Sequence, residues 1–211
     1  MKPQLEMLHI LDRFNADLST LRAQHIPASG WLRTVRRAVG LSIPTVAEAE
    51  GISHQSVSAF EAREALGTIQ TGKLASLADI LGCQLQYGVN SFRPEIQQRA
   101  VEVAQRRGGA LPSEDSELPL PQYMEKSGMP RGGWLKRVRW TLGYSRAEVA
   151  AKAGISPSAL QNLERTEARA AITLNSLRKV AAAMDCELIY FLSNSGKIAP
   201  TFSERIGAKQ G

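Results

Sequence analysis

Two short stretches of the chain carry side chains that can pair with the edges of nucleic-acid bases. Residues 51–64 read GISHQSVSAFEARE and residues 154–167 read GISPSALQNLERTE. Both share Gly-Ile-Ser, a Glu in the same two places and the same apolar positions, whereas the polar residues between them differ. Gln and Asn can bond bidentately to adenine, and Ser can bond to either base class. This chemistry requires an element that exposes those side chains.

Charge favours a polyanionic partner for the C-terminal part of the chain. The net charge is +6. Residues 1–90 hold 8 Lys and Arg against 8 Asp and Glu, residues 91–128 hold 5 against 6, and residues 129–211 hold 13 against 6. A basic region of this kind is typical of a surface that contacts nucleic acid.

Other chemistries find little support. The 2 cysteines, Cys83 and Cys186, form no CxxC, and the 3 histidines are scattered, so we expect no metal, no cofactor and no disulfide framework. No carboxylate pair or nucleophile constellation is evident, which argues against an enzyme. No apolar run is long enough to span a bilayer, and the N-terminus lacks a signal-peptide core. We therefore expect a cytoplasmic protein that does not bind membranes.

An internal repeat organises the chain. An offset of 103 residues aligns residues 30–90 with 133–193 without a gap, and 21 of those 61 positions are identical. Such self-similarity indicates a tandem duplication. The predicted domains are an N-terminal helix (1–25), a first repeat domain (26–91), a linker helix with a Pro/Ser/acidic linker (92–128), a second repeat domain (129–194) and a C-terminal tail (195–211).

Each repeat predicts short helices joined by glycine turns. In the first repeat, Trp31, Leu32, Val35 and Val39 share one helical face, which leaves Arg33, Arg36 and Arg37 on the other. Ser42 and Ser53 are candidate caps for the next two helices, and Gly51 separates them. Val46, Ala47, Val57 and Phe60 are predicted to face the core, while His54, Gln55 and Ser58 face outward. Two helices joined in this way form a helix-turn-helix.

At this point the chain resembles a known family. SIPTVAEAEGISHQSVSAFE and SRAEVAAKAGISPSALQNLE are similar to the helix-turn-helix core of the Cro/CI-type (XRE) transcriptional regulators, with a Glu (Glu61, Glu164) closing the recognition helix. The longer pattern, from GWLR to LGCQLQYGV, resembles a narrower group called mobile mystery protein A. That group occurs on mobile genetic elements, often beside a Fic-domain partner, and is usually single-copy, so the duplication departs from it.

The resemblance implies the site residues. Base reading is carried over to His54, Gln55, Ser58, Ser158, Gln161 and Asn162. Contacts with the phosphate backbone are expected from basic side chains and helix-capping serines: Arg33, Arg36, Arg37, Ser42, Ser53, Arg63, Lys136, Arg137, Arg139, Ser145, Arg146, Ser156 and Arg165. Many family members have Gln directly after the Ser cap. Here that place holds Ile43, which cannot make a polar contact, and Arg146, which can bind phosphate.

Period-two patterns after each helical region predict a short strand, one beginning at Cys83 and one at Cys186. A single strand would leave an open edge, so we expect the two strands to pair. The predicted fold class is thus mainly α: two tandem lambda-repressor-like helix-turn-helix domains, each ending in a strand. Antiparallel pairing gives a monomer with pseudo-two-fold symmetry, and exchange of strands with a second chain gives a homodimer.

The expected function is sequence-specific binding of double-stranded DNA by a transcriptional regulator of a bacterial mobile element, which reads two unlike half-sites. The alternative is an antitoxin or interaction module that neutralises a Fic-type toxin or binds another regulator, with or without autoregulatory DNA binding. Candidate docking surfaces for such a partner are the N-terminal helix, the linker helix and Trp140.

Overall fold

A computed structural model describes residues 26–91, 93–106, 130 and 132–194 of the chain. The predicted N-terminal helix, the Pro/Ser/acidic linker and the C-terminal tail lie outside the described residues. The described part is mainly helical, with nine helices and two strands. In chain order these are α1 (Trp31–Ala38), α2 (Ile43–Glu50), α3 (His54–Ala65), α4 (Thr71–Ile80), β1 (Cys83–Asn90), α5 (Pro94–Arg106), α6 (Trp134–Thr141), α7 (Arg146–Ala153), α8 (Pro157–Ala168), α9 (Leu174–Ala183) and β2 (Glu187–Asn194).

The described residues divide into two compact units. The first unit consists of residues 26–86 with 191–194, and the second unit consists of residues 87–91, 93–106, 130 and 132–190. The division passes through both strands, so each strand contributes residues to both units. Strands β1 and β2 form a two-stranded antiparallel sheet, which confirms the predicted strand pairing. Strand β2 begins at Glu187, one residue later than predicted.

Helices α1 and α2 and the start of α3 lie where the sequence predicts them. The Ser42 and Ser53 side chains accept hydrogen bonds from the backbone N–H groups of Thr45 and Ser56, at 3.2 and 3.1 Å. Gly51 ends α2 in the left-handed conformation (φ 69°), which glycine adopts without a steric penalty. The core is formed by apolar side chains from all four helices: Trp31, Leu32, Val35, Val46, Ala47, Val57, Leu74 and Leu77. Phe60 and Val39 are only half-buried, against the prediction.

Helices α6–α9 of the second unit follow the same plan. Helix α7 begins with a capping box, in which Ser145 Oγ accepts from the N–H of Glu148 and Glu148 Oε2 accepts from the N–H of Ser145 (2.6 Å). Gly154 ends α7 with φ 62°, and Ser156 caps α8. The core of the unit contains Trp134, Leu135, Val138, Val149, Leu160, Leu174 and Leu177.

Helix α5 lies where the sequence predicts the linker helix, and it packs within the second unit. Arg99 Nε donates a hydrogen bond of 2.7 Å to the carbonyl oxygen of Leu142, just beyond α6. Its guanidinium lies 4.1 Å from the centre of the Tyr144 ring, and the Lys152 ammonium lies 4.6 Å from the same centre. Val103 packs against Gly143, where an added Cβ would lie 2.9 Å from Val103 Cγ2. These contacts hold α5 against the turn between α6 and α7.

Both cysteines are buried and unoxidised. Burial raises the pKa of Cys83 to about 11 and that of Cys186 to about 12. A thiol of this kind is mostly protonated near neutral pH and is a poor nucleophile. They behave as small apolar side chains, as the sequence predicts. No helix among the described residues is long and apolar enough to cross a membrane.

Candidate nucleic-acid interface

Helix α8 exposes the polar side chains that the sequence marks as base-reading candidates. Ser158, Gln161 and Asn162 are all exposed, and their spacing of three and four residues places them on one helical face. Ser158 shares a hydrogen bond of 2.9 Å with the capping hydroxyl of Ser156. Gln161 and Asn162 make no side-chain hydrogen bond within the described part of the chain, so their amide groups are available to a ligand.

The core side of α8 carries a glutamate that binds two arginines. Glu164 is buried, and its Oε1 lies 2.6 Å from Arg139 Nε. Arg139 also donates to the carbonyl oxygen of Tyr144 at 3.3 Å, and its side chain is only 12% exposed. Arg146 approaches the other carboxylate oxygen at 3.4 Å, while 45% of its side chain remains exposed. Glu164 therefore joins α6, α7 and α8 and leaves one arginine at the surface.

A second buried glutamate of α8 caps α6 from a distance of 33 residues. The backbone N–H groups of Trp134 and Leu135 donate to Glu167 Oε1 and Oε2 at 2.8 and 2.9 Å. We call this arrangement a carboxylate cap. Burial raises the pKa of Glu167 to about 7, although the two backbone hydrogen bonds act in the opposite direction. Gly133 makes room for the carboxylate, since a Cβ there would lie 2.6 Å from Glu167 Cδ.

The first unit repeats both glutamate contacts. Glu64 accepts from the N–H groups of Trp31 and Leu32, each at 2.7 Å, and Gly30 leaves the space that its carboxylate occupies. Glu61 binds Arg36, with Nε–Oε1 at 2.5 Å and Nη2–Oε2 at 3.2 Å. The base-reading candidates of α3, which are His54, Gln55 and Ser58, are all exposed, as predicted.

One position separates the two glutamate networks. The residue directly after the Ser cap is Ile43 in α2 and Arg146 in α7. Glu61 therefore has one arginine partner where Glu164 has two.

Two sequence-based assignments need correction. The prediction that Arg36 lies on the exposed face of α1 is wrong: Arg36 is 8% exposed and is bound by Glu61 and by the carbonyl oxygen of Leu41. Arg36 follows Leu32 by four residues and therefore shares its helical face. Nor does either glutamate close its helix, because α3 continues to Ala65 beyond Glu61, and α8 continues to Ala168 beyond Glu164.

The remaining phosphate candidates are mostly at the surface. Exposed basic side chains are Arg33, Arg37, Arg63, Lys136, Arg146 and Arg165, and Arg137 is half-buried. The four capping serines, Ser42, Ser53, Ser145 and Ser156, are also exposed. Arg36 and Arg139 differ from this set, because Glu61 and Glu164 occupy their guanidinium groups.

The structure adds functional residues that the sequence interpretation missed. Glu64 and Glu167 were visible as glutamates repeated in both stretches, and Gly30 and Gly133 as glycines repeated before the tryptophans. Their contact over 33 residues is not a local pattern, so no helical periodicity predicts it. No pattern in the sequence predicts that Arg99, Tyr144 and Lys152 lie together.

Comparison with known protein families identifies one segment of the chain. Residues 135–191 match the family model HTH_3, described as Helix-turn-helix. This segment is a helix-turn-helix domain of the XRE type. Comparison with curated proteins and with solved structures returns no match.

The HTH_3 domain contains α7, the Gly154 turn and α8 with its exposed amides. A domain of this class indicates a DNA-binding regulator. Among the residues that the structure describes, no group of His, Cys, Asp and Glu could hold a metal ion.

Proposed function

We propose that the protein is a sequence-specific regulator that binds double-stranded DNA, with α8 as a recognition helix in the major groove. The carrying observation is the exposed face of α8, where the Gln161 and Asn162 amides have no intramolecular partner in the described residues and lie within a helix-turn-helix domain. Amides in this position suit bidentate pairing with adenine. We also propose that the protein belongs to a bacterial mobile element, because the chain resembles mobile mystery protein A, and that it acts in the cytoplasm.

The first unit is proposed as a second helix-turn-helix domain that arose by duplication, with α3 as its recognition helix. Three kinds of equivalence support this: the 21 identities in 61 aligned positions, the carboxylate caps of Glu64 and Glu167, and the Arg–Glu pairs. His54, Gln55 and Ser58 would then read a half-site of their own. The two half-sites would differ, because the exposed residues of α3 and α8 differ.

Affinity for the phosphate backbone of DNA would come mainly from the second unit. Residues 133–193 hold 9 Lys and Arg against 5 Asp and Glu, whereas residues 30–90 hold 5 against 5. Arg146 is the best-placed phosphate ligand, since Glu164 holds its guanidinium while nearly half of the side chain faces solvent. Arg36 and Arg139 act on stability instead, because burial and ion pairing remove them from the surface.

The protein is proposed to bind DNA either as a monomer or as a homodimer that exchanges strands, with each recognition helix in a major groove. Size-exclusion chromatography with light scattering distinguishes them, since a strict monomer excludes the exchanged form.

The test compares phosphate contacts with base contacts in the purified full-length protein. DNA selected from a random library and an unselected duplex are titrated at several salt concentrations. Arg146→Ile should weaken binding to both duplexes and reduce the salt slope by about 1, because one counterion fewer is released. Gln161→Ala should instead lose about 1–3 kcal/mol of binding free energy, and only on the selected duplex.

The first unit supplies the matched variant. Ile43→Arg places a guanidinium beside Glu61, as Arg146 stands beside Glu164, and should raise affinity for both duplexes and steepen the salt slope. Equal losses for Gln161→Ala on selected and unselected DNA would refute the base-reading role. A library from which no sequence is enriched would refute sequence-specific binding.

A second candidate function is binding of a protein partner, such as a Fic-type toxin or another regulator. The observation in its favour is Val101, which is 50% exposed on α5 beside the DNA-binding domain. Co-expression with the neighbouring gene product, followed by co-purification of wild type and Val101→Glu, tests this function. Retention of the partner by both proteins would exclude α5 as the docking surface.

A further inference from the structure

The exposed faces of α3 and α8 differ at several aligned positions, and one of these exchanges an alanine for an asparagine. This position holds Ala59 in α3 and Asn162 in α8, and both residues are exposed. Each lies four residues after an exposed polar side chain in the first turn, Gln55 or Ser158, and therefore on the same helical face. One helix presents a methyl group where the other presents a carboxamide.

Hydrogen-bonding capacity is also distributed differently along the two faces. In α8 the Ser158 hydroxyl shares a hydrogen bond of 2.9 Å with the capping Ser156, so Gln161 and Asn162 are the uncharged polar side chains without a side-chain hydrogen bond in the described residues. In α3 the capping Ser53 engages Ser56 at 2.9 Å, which leaves Gln55 and Ser58 without a side-chain hydrogen bond in the described residues. The uncharged polar groups of α3 thus lie before position 59, and those of α8 without such a bond reach position 162.

We infer that Ala59 and Asn162 contribute to the difference between the two half-sites: Ala59 contacts a thymine methyl group, and Asn162 pairs with an adenine. A methyl side chain has no donor or acceptor, and the only apolar group that a base pair offers in the major groove is the C5-methyl of thymine. A carboxamide matches the N6 and N7 atoms of adenine. This inference rests on the proposed function.

Ala59 also has a purely structural explanation, because alanine is the strongest helix former. That explanation predicts no preference for any base at the position. A binding experiment therefore distinguishes the two explanations, whereas a stability measurement does not.

The experiment selects duplexes from a random library with the full-length wild type, with Ala59→Asn and with Asn162→Ala. The inference expects two unlike half-sites for the wild type. Ala59→Asn should change a thymine in one half-site, and Asn162→Ala should abolish a preference for adenine in the other. Circular dichroism confirms that the exposed substitutions leave the helix content unchanged. An unchanged wild-type selection in either variant would overturn the inference.

A probe duplex with deoxyuridine in place of single thymines removes only the methyl group. At the contacted thymine the wild type should bind about fourfold more weakly, which corresponds to the loss of one buried methyl group. Ala59→Asn should show no difference, and deoxyuridine outside both half-sites is the control. A selected duplex without any sensitive thymine overturns the inference while the proposed function stands. A library without enrichment overturns the proposed function itself.

Discussion

The two helical units share their buried polar contacts and differ in the side chains around their second and third helices. Each unit has a carboxylate cap, with a glycine beside it, and an Arg–Glu pair between its first and third helices. At two aligned positions the first unit has an apolar residue where the second unit has a polar one: Ile43 against Arg146, and Ala59 against Asn162. The comparison teaches that packing of the three helices constrains the glutamates and glycines, while the exposed positions are free to specialise.

The largest expected effect concerns the shared carboxylate cap. Gly30 and Gly133 have φ of 77° and 87° with ψ near 165°, a conformation essentially restricted to glycine. Gly133→Ala adds backbone strain and drives a Cβ into Glu167, so we expect a loss of more than about 3 kcal/mol in the free energy of unfolding. Gly30→Ala should act similarly through Glu64. Chemical denaturation, with hydrogen exchange to resolve each unit, measures both.

The control for this prediction is Gly154→Ala. Gly154 also has positive φ, at 62°, but a Cβ there meets no atom within 4 Å. Its substitution should cost only about 1–2 kcal/mol, the price of the left-handed conformation alone. Losses of equal size at Gly133 and Gly154 would show that the carboxylate cap tolerates a methyl group.

The next effect separates the two Arg–Glu pairs. Arg36→Met leaves Glu61 buried without its arginine, and we expect a loss of about 3–5 kcal/mol. Arg139→Met should cost clearly less, because Arg146 stays 3.4 Å from Glu164 and can neutralise it. Hydrogen exchange of α3 and α8 amides reports on each pair separately.

The double variant Arg139→Met/Arg146→Ile makes the second network as poor in cations as Arg36→Met makes the first. This double variant should lose as much unfolding free energy as Arg36→Met does. If Arg139→Met alone were as damaging as Arg36→Met, Arg146 would contribute nothing to the neutralisation of Glu164.

The smallest effect concerns the start of α7. The N–H of Ser145 holds the pKa of Glu148 below its usual value, and α2 has no such partner for Ser42, where Thr45 stands in place of Glu. Because the pKa is lower in the folded state, this contribution is present above about pH 4.5 and is lost as the pH falls through the folded pKa. Glu148→Ala should therefore weaken α7 slightly at pH 7 and match the wild type at low pH. Amide exchange at α7 on both sides of this range measures it, and a pH-independent difference contradicts it.

Local signals made most of the helix boundaries predictable. Ser42, Ser53 and the glycines after α1 and α2 specify caps and turns through their own backbone preferences, and the structure places them there. The exposure of Gln55 and Gln161 followed from helical periodicity in the same way. Local chemistry alone determines such features, so a single sequence carries them.

Contacts between distant residues were harder to predict. Arg36 was predicted at the surface because it is charged, although it lies four residues after Leu32 and so on the buried face of α1. Its burial is possible because Glu61 accepts hydrogen bonds from its guanidinium. The Glu167 contacts depend on the approach of α6 to α8. That approach depends on packing of the whole unit, which periodicity along one helix does not describe.

The docking of α5 has a consequence for how such a domain moves between proteins. The family match begins at Leu135, yet Arg99 and Val103 of α5 cover the Tyr144 ring and Gly143 inside that match. A recombination event that transferred only the matched segment would expose these surfaces in the recipient. A transferred piece that keeps these contacts would have to include α5, so the structural unit is larger than the segment that sequence similarity detects.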